Sequence, residues 1–381
     1  MLQRKPDSGL GNIRSSPADP SRNIDWILLT AQTLLTVAGC FVVFSATRTR
    51  TADPYTFVTR QVIFAIAATV VMVVLMAIDY EWWKDRTRLL YLGTVLVLFG
   101  LAAYSRGSGS TTLAIDVGPI QVQPAEFAKV IVLLAVAAYL AEERDSDSVS
   151  YPRFLGALLM VGIPALLVIV QPDLGTGSVL IAMTMGVLLV AGAKAKYIFT
   201  ISLLSIATIA AAFFARLVNP YQLERVRVFF DQDNPELREA VYQVDNAVKA
   251  VGTGGVFGKG WLQGPLTNGR DIPVIWADFP FAAVGEQFGL VGCGALLLTF
   301  AVALLRIWRI AGLSRDMFGT YICAGAFTML LWQVFQNVGM TVKIMPVTGL
   351  PMPFISYGGS GLITWFALFG LVQSVHMRRM R

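Results

Sequence analysis

Histidine, cysteine and charge are all scarce in this 381-residue chain, and each scarcity excludes a class of chemistry. The single histidine, His376, lies near the C-terminus, so catalysis by histidine and metal sites built on histidine are nearly excluded. The three cysteines all lie in apolar stretches, which favours packing as small hydrophobic side chains over a disulfide framework or a metal site. They are Cys40, Cys293 and Cys323.

Charged residues make up only 14% of the chain, whereas a soluble domain carries about 25%. Hydrophobic residues make up 55%, and the mean hydropathy is +0.64. Apolar runs recur along the sequence, each long enough to cross the roughly 30 Å of a bilayer core. We therefore predict an all-α polytopic membrane protein. Its net charge of +6 then reflects basic loops beside lipid headgroups rather than nucleic-acid binding.

The hydropathy pattern predicts about ten transmembrane helices in a single domain over residues 25–381. The polar residues 1–24 are predicted to form a disordered cytoplasmic tail without a cleavable signal sequence. A long polar segment, residues 217–279, separates helices 7 and 8. The spans are placed near residues 26–47, 58–79, 87–104, 124–141, 153–170, 175–193, 197–216, 280–306, 317–339 and 360–377.

The distribution of Lys and Arg predicts how these helices are oriented. With the N-terminus inside, the inner segments hold 17 basic residues and the short outer loops hold five. Both termini are therefore predicted to be cytoplasmic, and the 217–279 segment to be extracytoplasmic. There is no ATP on that side, so the energy for a reaction there must arrive in the substrate.

Two features of the 217–279 segment follow from residue spacing. The stretch GTGGVFGKG, Gly252 to Gly260, has the wrong spacing for a phosphate-binding loop, so we interpret it as a turn that lets backbone approach a neighbour. Helical periodicity over residues 237–251 predicts an amphipathic helix lying at the membrane interface or against the bundle. Its predicted apolar face holds Leu237, Ala240, Val241, Val244, Val248 and Val251.

Four polar groups fall on the predicted outer face, where charges at membrane depth are functional candidates. In the first, QPAEFAK, Gln123 precedes Glu126 and Lys129, which share a helix face and form either a structural ion pair or part of a site. In the second, QPDLGTG, Asp173 either caps the sixth helix or holds a sugar hydroxyl.

The third group is Asp278 with Glu286, at the start of the eighth helix. Asp278 fits an N-cap with Pro280 just inside the helix and, as the alternative, a catalytic base.

The fourth group runs from Pro346 to Gly361 and contains Ser356. Its three prolines and four glycines forbid a continuous helix, which predicts a re-entrant outer loop beside a binding site before the last helix. Lys343, just before this loop, is a candidate to meet an anionic group.

These motifs, in this order, resemble the SEDS family (shape, elongation, division and sporulation). The resemblance runs from about residue 25 to the end of the chain. Thr348 in the last motif resembles the elongation branch of the family, because the division branch usually has lysine there. The motifs are QPAEFAK, QPDLGTG, the loop segment ERV…YQ…GTGGVFGKGW, ADFPFAAVGEQFGLVG and PVTGLPMPFISYGGSG.

The resemblance implies a peptidoglycan glycosyltransferase that polymerises lipid II on the outer face of the bacterial cytoplasmic membrane. It also implies a partner, a class B penicillin-binding protein that acts as the transpeptidase. The family's essential loop aspartate aligns with Asp278, which is therefore expected to be the general base. Its conserved glutamate and lysine align with Glu126 and Lys129. We assign substrate binding to Gln123, Glu126, Lys129, Asp173, Glu286, Lys343 and Ser356.

The pyrophosphate leaving group of such a reaction needs countercharge. The sequence offers three basic residues for this purpose, and a divalent cation, Mg²⁺ or Mn²⁺, is the alternative. The basic candidates are Lys129, Lys343 and Arg270.

Several positions depart from the family pattern and affect the expected rim of the cavity. Ala125 and Gly361 stand where serine is usual, and Leu113-Ala114 where Arg-Trp is usual. Val274 and Trp276 stand where Glu and His are common.

Two other functions are alternatives to the enzyme. A lipid II flippase would use intramembrane polar groups, but these cluster on one side, and no inverted repeat is evident. A scaffold for the cell-wall machinery would not need Asp278.

Overall fold

The computed structural model describes residues 20–108, 114–117, 120–142, 149–171, 173–200, 202–203, 229, 238–269 and 271–380. Eight helices in these ranges are long and apolar enough to cross a membrane, and a ninth apolar helix is shorter. The prediction of an all-α, multi-pass membrane protein is therefore confirmed. The eight long helices are α1 (Trp26–Thr47), α2 (Thr56–Ala77), α4 (Thr87–Ser108), α5 (Pro124–Ala141), α6 (Tyr151–Val170), α10 (Pro280–Gly312), α11 (Met317–Thr341) and α12 (Gly359–Met377), and the shorter one is α7 (Leu174–Val190).

Shorter elements connect these helices. Among them are α3 (Tyr80–Lys84), α8 (Arg238–Thr253), α9 (Pro265–Asn268), a 3-10 turn (Pro20–Arg22), and strands β1 (Ile115–Val117) and β2 (Ile120–Val122). The strands pair antiparallel, with Ile115 opposite Val122, and the sequence did not predict this hairpin.

Predicted and observed helix ends agree closely. Helices α1 and α5 have the predicted bounds, and the others start or end within a few residues of them. The predicted seventh span, 197–216, falls mostly outside the described residues, although 195–200 and 202–203 are helical. The predicted tail up to residue 19 and the loop residues 217–228 and 230–237 also lie outside them.

Aspartate side chains fix the starts of several helices. Asp25 Oδ1 accepts from the Leu28 N–H at 2.9 Å, and Asp316 Oδ1 accepts from the Gly319 N–H at 2.7 Å. These bonds satisfy backbone donors that a helix leaves unpaired in its first turn.

Three helices form the centre of the bundle. In the most apolar stretch of each helix, 83% of the residues are buried in α12, 72% in α5 and 67% in α11. In α2 and α4 only 22% are buried. Helix α12 packs on α2 and α5, and α11 packs on α7, α10 and α5. The central position of α5, α11 and α12 brings their polar side chains together, away from lipid.

The amphipathic segment of the large loop is a helix, α8, that packs against α10 and α11. Its buried residues are Val244, Asn246, Ala247 and Ala250, whereas Val248 is exposed. Val248, which belongs to the predicted apolar face, is therefore not covered by the bundle.

The glycine-rich turn after α8 docks against a break in α10. Gly289 in α10 has φ 63° and ψ −157°, outside helical geometry. Leu290 N donates to Gly255 O at 2.9 Å, and Gly260 N donates to Gln287 O at 3.0 Å. At Gly258, φ is +79° and an added Cβ would lie 2.1 Å from Gln287 O. The interpretation of this stretch as a close backbone approach is confirmed.

The segment between α11 and α12 is irregular and buried, as predicted for the re-entrant loop. Met352, Phe354 and Ile355 are almost fully buried. Helix α1 crosses the loop so closely that a Cβ added at Gly39 would lie 2.3 Å from Phe354 O. Irregular backbone at membrane depth must be enclosed by protein or line a cavity, and this loop does both.

Candidate active site

A cavity of about 640 Å³ lies between α2, α5, α12 and the re-entrant loop. Asp278 and Glu126 both line it, although they are 152 positions apart in the chain. Its other polar lining residues are Arg60, Gln121, Gln123, Gln333, Ser356, Tyr357 and Ser360. Of the predicted site residues, the cavity lining brings together Gln123, Glu126, Asp278 and Ser356, and it does not include Lys129, Asp173, Glu286 or Lys343.

Asp278 stands just before α10 rather than in its cap. The helix begins at Pro280, and Phe279 occupies the N-cap position. Asp278 is half-buried and lines the cavity. The partial positive charge of a helix N-terminus favours a negative group at this place.

Backbone contacts hold the residues around Asp278 from two sides. From α11, Asn337 Nδ2 donates to Asp278 O at 2.9 Å and to Leu350 O at 2.8 Å. From the re-entrant loop, Ser356 Oγ donates to Ala277 O at 2.6 Å. Asn337 therefore joins the aspartate segment to the loop, and Ser356 has a positioning role besides lining the cavity.

Trp276, which departs from the family pattern, is held by aromatic and cationic neighbours. The Arg50 guanidinium lies 4.9 Å from the ring centroid, and the Phe57 ring lies 5.5 Å away. Tyr357 N also donates to Trp276 O at 2.9 Å. These contacts fix the turn that precedes Asp278. Val274, the other departure in this turn, is 43% exposed and has φ 53°.

Glu126 and Lys129 form a buried ion pair at the start of α5. Lys129 Nζ lies 2.8 Å from each carboxylate oxygen. Both side chains are almost fully buried, and pairing is what makes two charges tolerable there. Glu126 nevertheless lines the cavity. A Cβ added at Gly361 would lie 3.6 Å from Glu126 Oε2, in ordinary van der Waals contact with that carboxylate.

Gln123 connects the cavity to a helix cap. Its Nε2 donates to Asp173 Oδ2 at 3.2 Å, and its backbone N–H donates to Ser360 Oγ at 3.0 Å. Asp173 itself caps α7 by accepting from the Thr176 N–H at 2.9 Å. Burial raises the pKa of the Asp173 carboxyl, which its hydrogen bonds from Thr176 only partly oppose. The capping alternative for Asp173 thus fits the geometry, and its link to the cavity runs through Gln123.

Glu286 does not line the cavity; it is buried in a cluster of hydrogen bonds with residues of the outer loop. Its carboxylate accepts from the backbone N–H groups of Leu266 and Thr267 at 3.1 and 2.7 Å, and from Thr267 Oγ1 at 2.7 Å. Lys259 Nζ lies 3.2 Å from Oε1. Glu286 therefore fastens the outer loop to α10.

Lys343 also lies outside the lining residues. Its ammonium group pairs with Asp245 of α8. This ion pair connects the residue before the re-entrant loop to the outer loop. Of the three basic candidates for countercharge, Lys129 and Lys343 thus have carboxylate partners, and Arg270 lies outside the described residues.

Sequence reasoning did not assign Gln121 or Gln333, which line the cavity, and it missed two further residues that matter for the site. Arg60 on α2 lines the cavity, and Asn337 on α11 holds the Asp278 segment. A signal for Asn337 was present, because Gln333, Gln336 and Asn337 put three amides on adjacent turns of an apolar helix. Nothing in the sequence distinguished Arg60 from the other basic residues near the ends of the predicted helices.

The described residues contain no group of three or more His, Cys, Asp or Glu side chains placed to hold a metal ion. Asp278 and Glu126 are the carboxylates that line the cavity. Magnesium usually binds one or two carboxylates together with substrate phosphates, so two such residues are compatible with a cation that binds with a pyrophosphate.

Comparisons with known proteins agree with this architecture. The family model for FtsW, RodA and SpoVE, described as "Cell cycle protein", matches residues 25–381. The chain is 36% identical over 314 residues to "Peptidoglycan glycosyltransferase MrdB" of Escherichia coli strain K12, covering 81% of this chain and 83% of that protein. It is 26% identical over 429 residues to "Peptidoglycan glycosyltransferase RodA" of Treponema pallidum, covering 94% and 98%.

Solved structures are similar as well. One is a chain from a structure described as "Structural coordination of polymerization and crosslinking by a peptidoglycan synthase complex". Its TM-score is 0.77 at 26% sequence identity, and the match covers 94% of this chain and 99% of that chain. The RodA crystal structure from Thermus thermophilus has a TM-score of 0.68 at 24% identity, covering 94% and 98%, and shows the same fold.

Proposed function

The chain belongs to the FtsW, RodA and SpoVE family and is a peptidoglycan glycosyltransferase, in which we propose that Asp278 acts as the general base. The observation that carries this proposal is the position of Asp278, half-buried in the lining of the cavity and just before α10. Glu126, the other lining carboxylate, is almost fully buried and paired with Lys129. Asp278 is thus the more accessible of the two carboxylates.

The substrate in this proposal is lipid II, and the reaction is a single displacement. Asp278 takes the proton from the GlcNAc 4-hydroxyl of the acceptor lipid II. That oxygen attacks C1 of the MurNAc at the reducing end of the growing chain, and undecaprenyl pyrophosphate leaves with the bonding electron pair. The α-linked donor becomes a β-1,4 linkage. General-base assistance of this kind is worth about 10²–10⁴-fold.

Arg60 and a divalent cation are the sources of countercharge in this proposal. Arg60 lines the cavity with an exposed side chain, so its guanidinium is available to pyrophosphate oxygens. Mg²⁺ or Mn²⁺ would be held by those oxygens with Glu126 or Asp278 and would supply further positive charge. In this role Arg60 replaces Lys343, whose ammonium pairs with Asp245.

The setting of the reaction is the second part of the proposal. The protein spans the membrane several times. The count of basic residues supports cytoplasmic termini and a cavity that opens on the outer face of the cytoplasmic membrane. The similarity to a chain from a peptidoglycan synthase complex supports a class B penicillin-binding protein as the partner that crosslinks the polymer.

We place the protein in the elongation branch of its family. It is 36% identical to MrdB, against 29% to the FtsW of Geobacter and 30% to the sporulation protein of Bacillus subtilis, although its identity to the RodA of Treponema pallidum is 26%. Thr348, where the division branch usually has lysine, accepts a hydrogen bond from Gln336 Nε2 at 3.3 Å in the re-entrant loop. Restoration of rod shape, rather than septation, in a strain lacking the corresponding enzyme would test this assignment.

The decisive experiment is polymerisation of purified lipid II by the protein with its cognate transpeptidase, comparing wild type with Asp278→Asn. We expect the variant to lose about 10²–10⁴-fold in rate while remaining folded. Asp271→Asn is the matched control, since Asp271 lies in the same outer segment, bonds Tyr242 and does not line the cavity. Full activity in a folded Asp278→Asn protein would refute the base assignment. Movement of labelled lipid II without polymer would favour a flippase.

A further inference from the structure

A second cavity lies at the end of the bundle opposite Asp278. Its volume is about 540 Å³, and it lies between α4, α5 and α6. The last turns of α5 line it, whereas Glu126 in the first turn lines the first cavity. Glu126 and Glu142 are 16 residues apart, which corresponds to roughly 24 Å along a helix. The two cavities are therefore separate, and the reaction proposed above does not use the second one.

The charged residues of the second cavity have both signs. Lys84 and Arg88 contribute positive charge, and Asp85 and Glu142 contribute negative charge. The Glu142 carboxylate lies 3.7 Å from Arg88 Nη2 and 3.4 Å from Arg153 Nη1. The Arg88 side chain is 87% exposed and that of Glu142 is 46% exposed, so a ligand can reach both, while Arg153, outside the lining, remains beside Glu142. A ligand that matches this lining carries a positive and a negative group close together.

The rest of the lining is apolar and continues onto the lipid-facing side of α4. Ala138 and Leu92 contribute to the cavity wall. Leu89, Leu92 and Leu96 are all more than half exposed and recur at helical spacing, so they form one apolar strip that leads away from the charged rim. Trp82, 43% exposed just before the cavity, is the residue type that marks the headgroup level of a bilayer.

We propose that this cavity binds a phospholipid whose headgroup carries a phosphate and a primary amine. The phosphate lies between Lys84 and Arg88, the ammonium group donates to Glu142, and one acyl chain follows the Leu89 to Leu96 strip. A purely anionic headgroup fits less well, because Glu142 would face it with like charge. A choline headgroup has the same two charges but no N–H donor for the carboxylate, so the primary amine is the distinguishing feature.

The test is lipid retention by the full-length protein. Purified protein is exchanged into detergent with equal amounts of phosphatidylethanolamine, phosphatidylcholine and phosphatidylglycerol of identical acyl chains, and the retained lipids are counted by native mass spectrometry. We expect ethanolamine lipid to be retained about 10-fold more than choline lipid, the factor that one hydrogen bond between charged groups carries. Equal retention of the two, or preferred retention of phosphatidylglycerol, would overturn the proposal.

Three variants locate the site. Lys84→Gln with Arg88→Gln should reduce retention of both phosphate-bearing zwitterionic lipids about 10-fold. Glu142→Gln should remove only the preference for ethanolamine over choline. Arg309→Gln, an exposed basic residue on α10 outside the cavity, is the control and should change neither. A preference that survives Glu142→Gln, or equal losses in the Arg309 control, would place the lipid elsewhere and refute the assignment.

Discussion

Asn337 offers the sharpest test of how the fold positions Asp278, the proposed general base. The side chain is fully buried on α11, and its Nδ2 atom bonds both Asp278 O and Leu350 O. Replacing it by alanine removes both donors and leaves two carbonyl groups without these partners. The perturbation therefore loosens the aspartate segment from the re-entrant loop without altering Asp278 itself.

The expected magnitude follows from these two bonds. Leaving one buried carbonyl group without its hydrogen bond costs about 1–3 kcal/mol of folding free energy. Asn337→Ala affects two such groups, so it should destabilise the protein by about 2–6 kcal/mol. Loss of position by about 1 Å at a catalytic group costs on the order of 10²-fold in rate. We therefore expect a fall in kcat of this order, with KM changed little, because Asn337 does not line the cavity.

The matched control is Gln336→Ala on the same helix. Gln336 is also buried and its Nε2 donates to Pro346 O at 3.0 Å, so it fastens the same loop without bonding Asp278. Both variants are assayed for thermal stability and for lipid II polymerisation over a range of substrate concentrations. Similar losses of stability with a much larger loss of kcat in Asn337→Ala would support the positioning role. Equal kcat values in the two variants would refute it.

Two further predictions concern charge. Chelation by EDTA should lower the polymerisation rate, and added Mg²⁺ or Mn²⁺ should restore it; a rate unaffected by EDTA would leave the countercharge to Arg60. Burial raises the pKa of the Asp25 carboxyl, but hydrogen bonds from Arg306 and the Leu28 N–H outweigh it, and the net pKa is lowered. Because the folded-state pKa lies below the unfolded one, this carboxylate stabilises the fold fully above the unfolded pKa and loses that effect as pH falls through the lowered value. Asp25→Asn should therefore flatten the acid side of a melting-temperature profile, and an unchanged acid side would contradict the pairing.

The sequence was informative where a local rule decides the outcome. Helices α1 and α5 begin and end where hydropathy and capping place them, since both signals lie within the helix itself. The buried irregular loop was predictable for a similar reason: three prolines and four glycines leave the backbone no helical alternative. Asp278 and Glu126 were found as charges in costly positions, and they line one cavity.

The roles that could not be predicted depend on contacts between distant segments. Asp278 and Glu286 have the same kind of sequence setting, yet one lines the cavity and the other accepts hydrogen bonds from Thr267 in a buried cluster. The path of the outer loop decides which of the two carboxylates is enclosed by the loop and which lines the cavity. Val248 shows the same limit, because its apolar side chain belongs to the predicted apolar face and is not covered by the bundle.

The geometry around Asp278 also explains how a carboxylate on irregular backbone can be held in place. Three hydrogen bonds hold the turn, and their acceptors are the consecutive carbonyl oxygens of Trp276, Ala277 and Asp278. All three bonds are made to backbone carbonyl groups, so they position the segment that carries Asp278. Two of the donors, Ser356 and Tyr357, belong to the re-entrant loop that also lines the cavity. If Asp278 is the base, as we propose, a substrate that displaces this loop would therefore move the base with it.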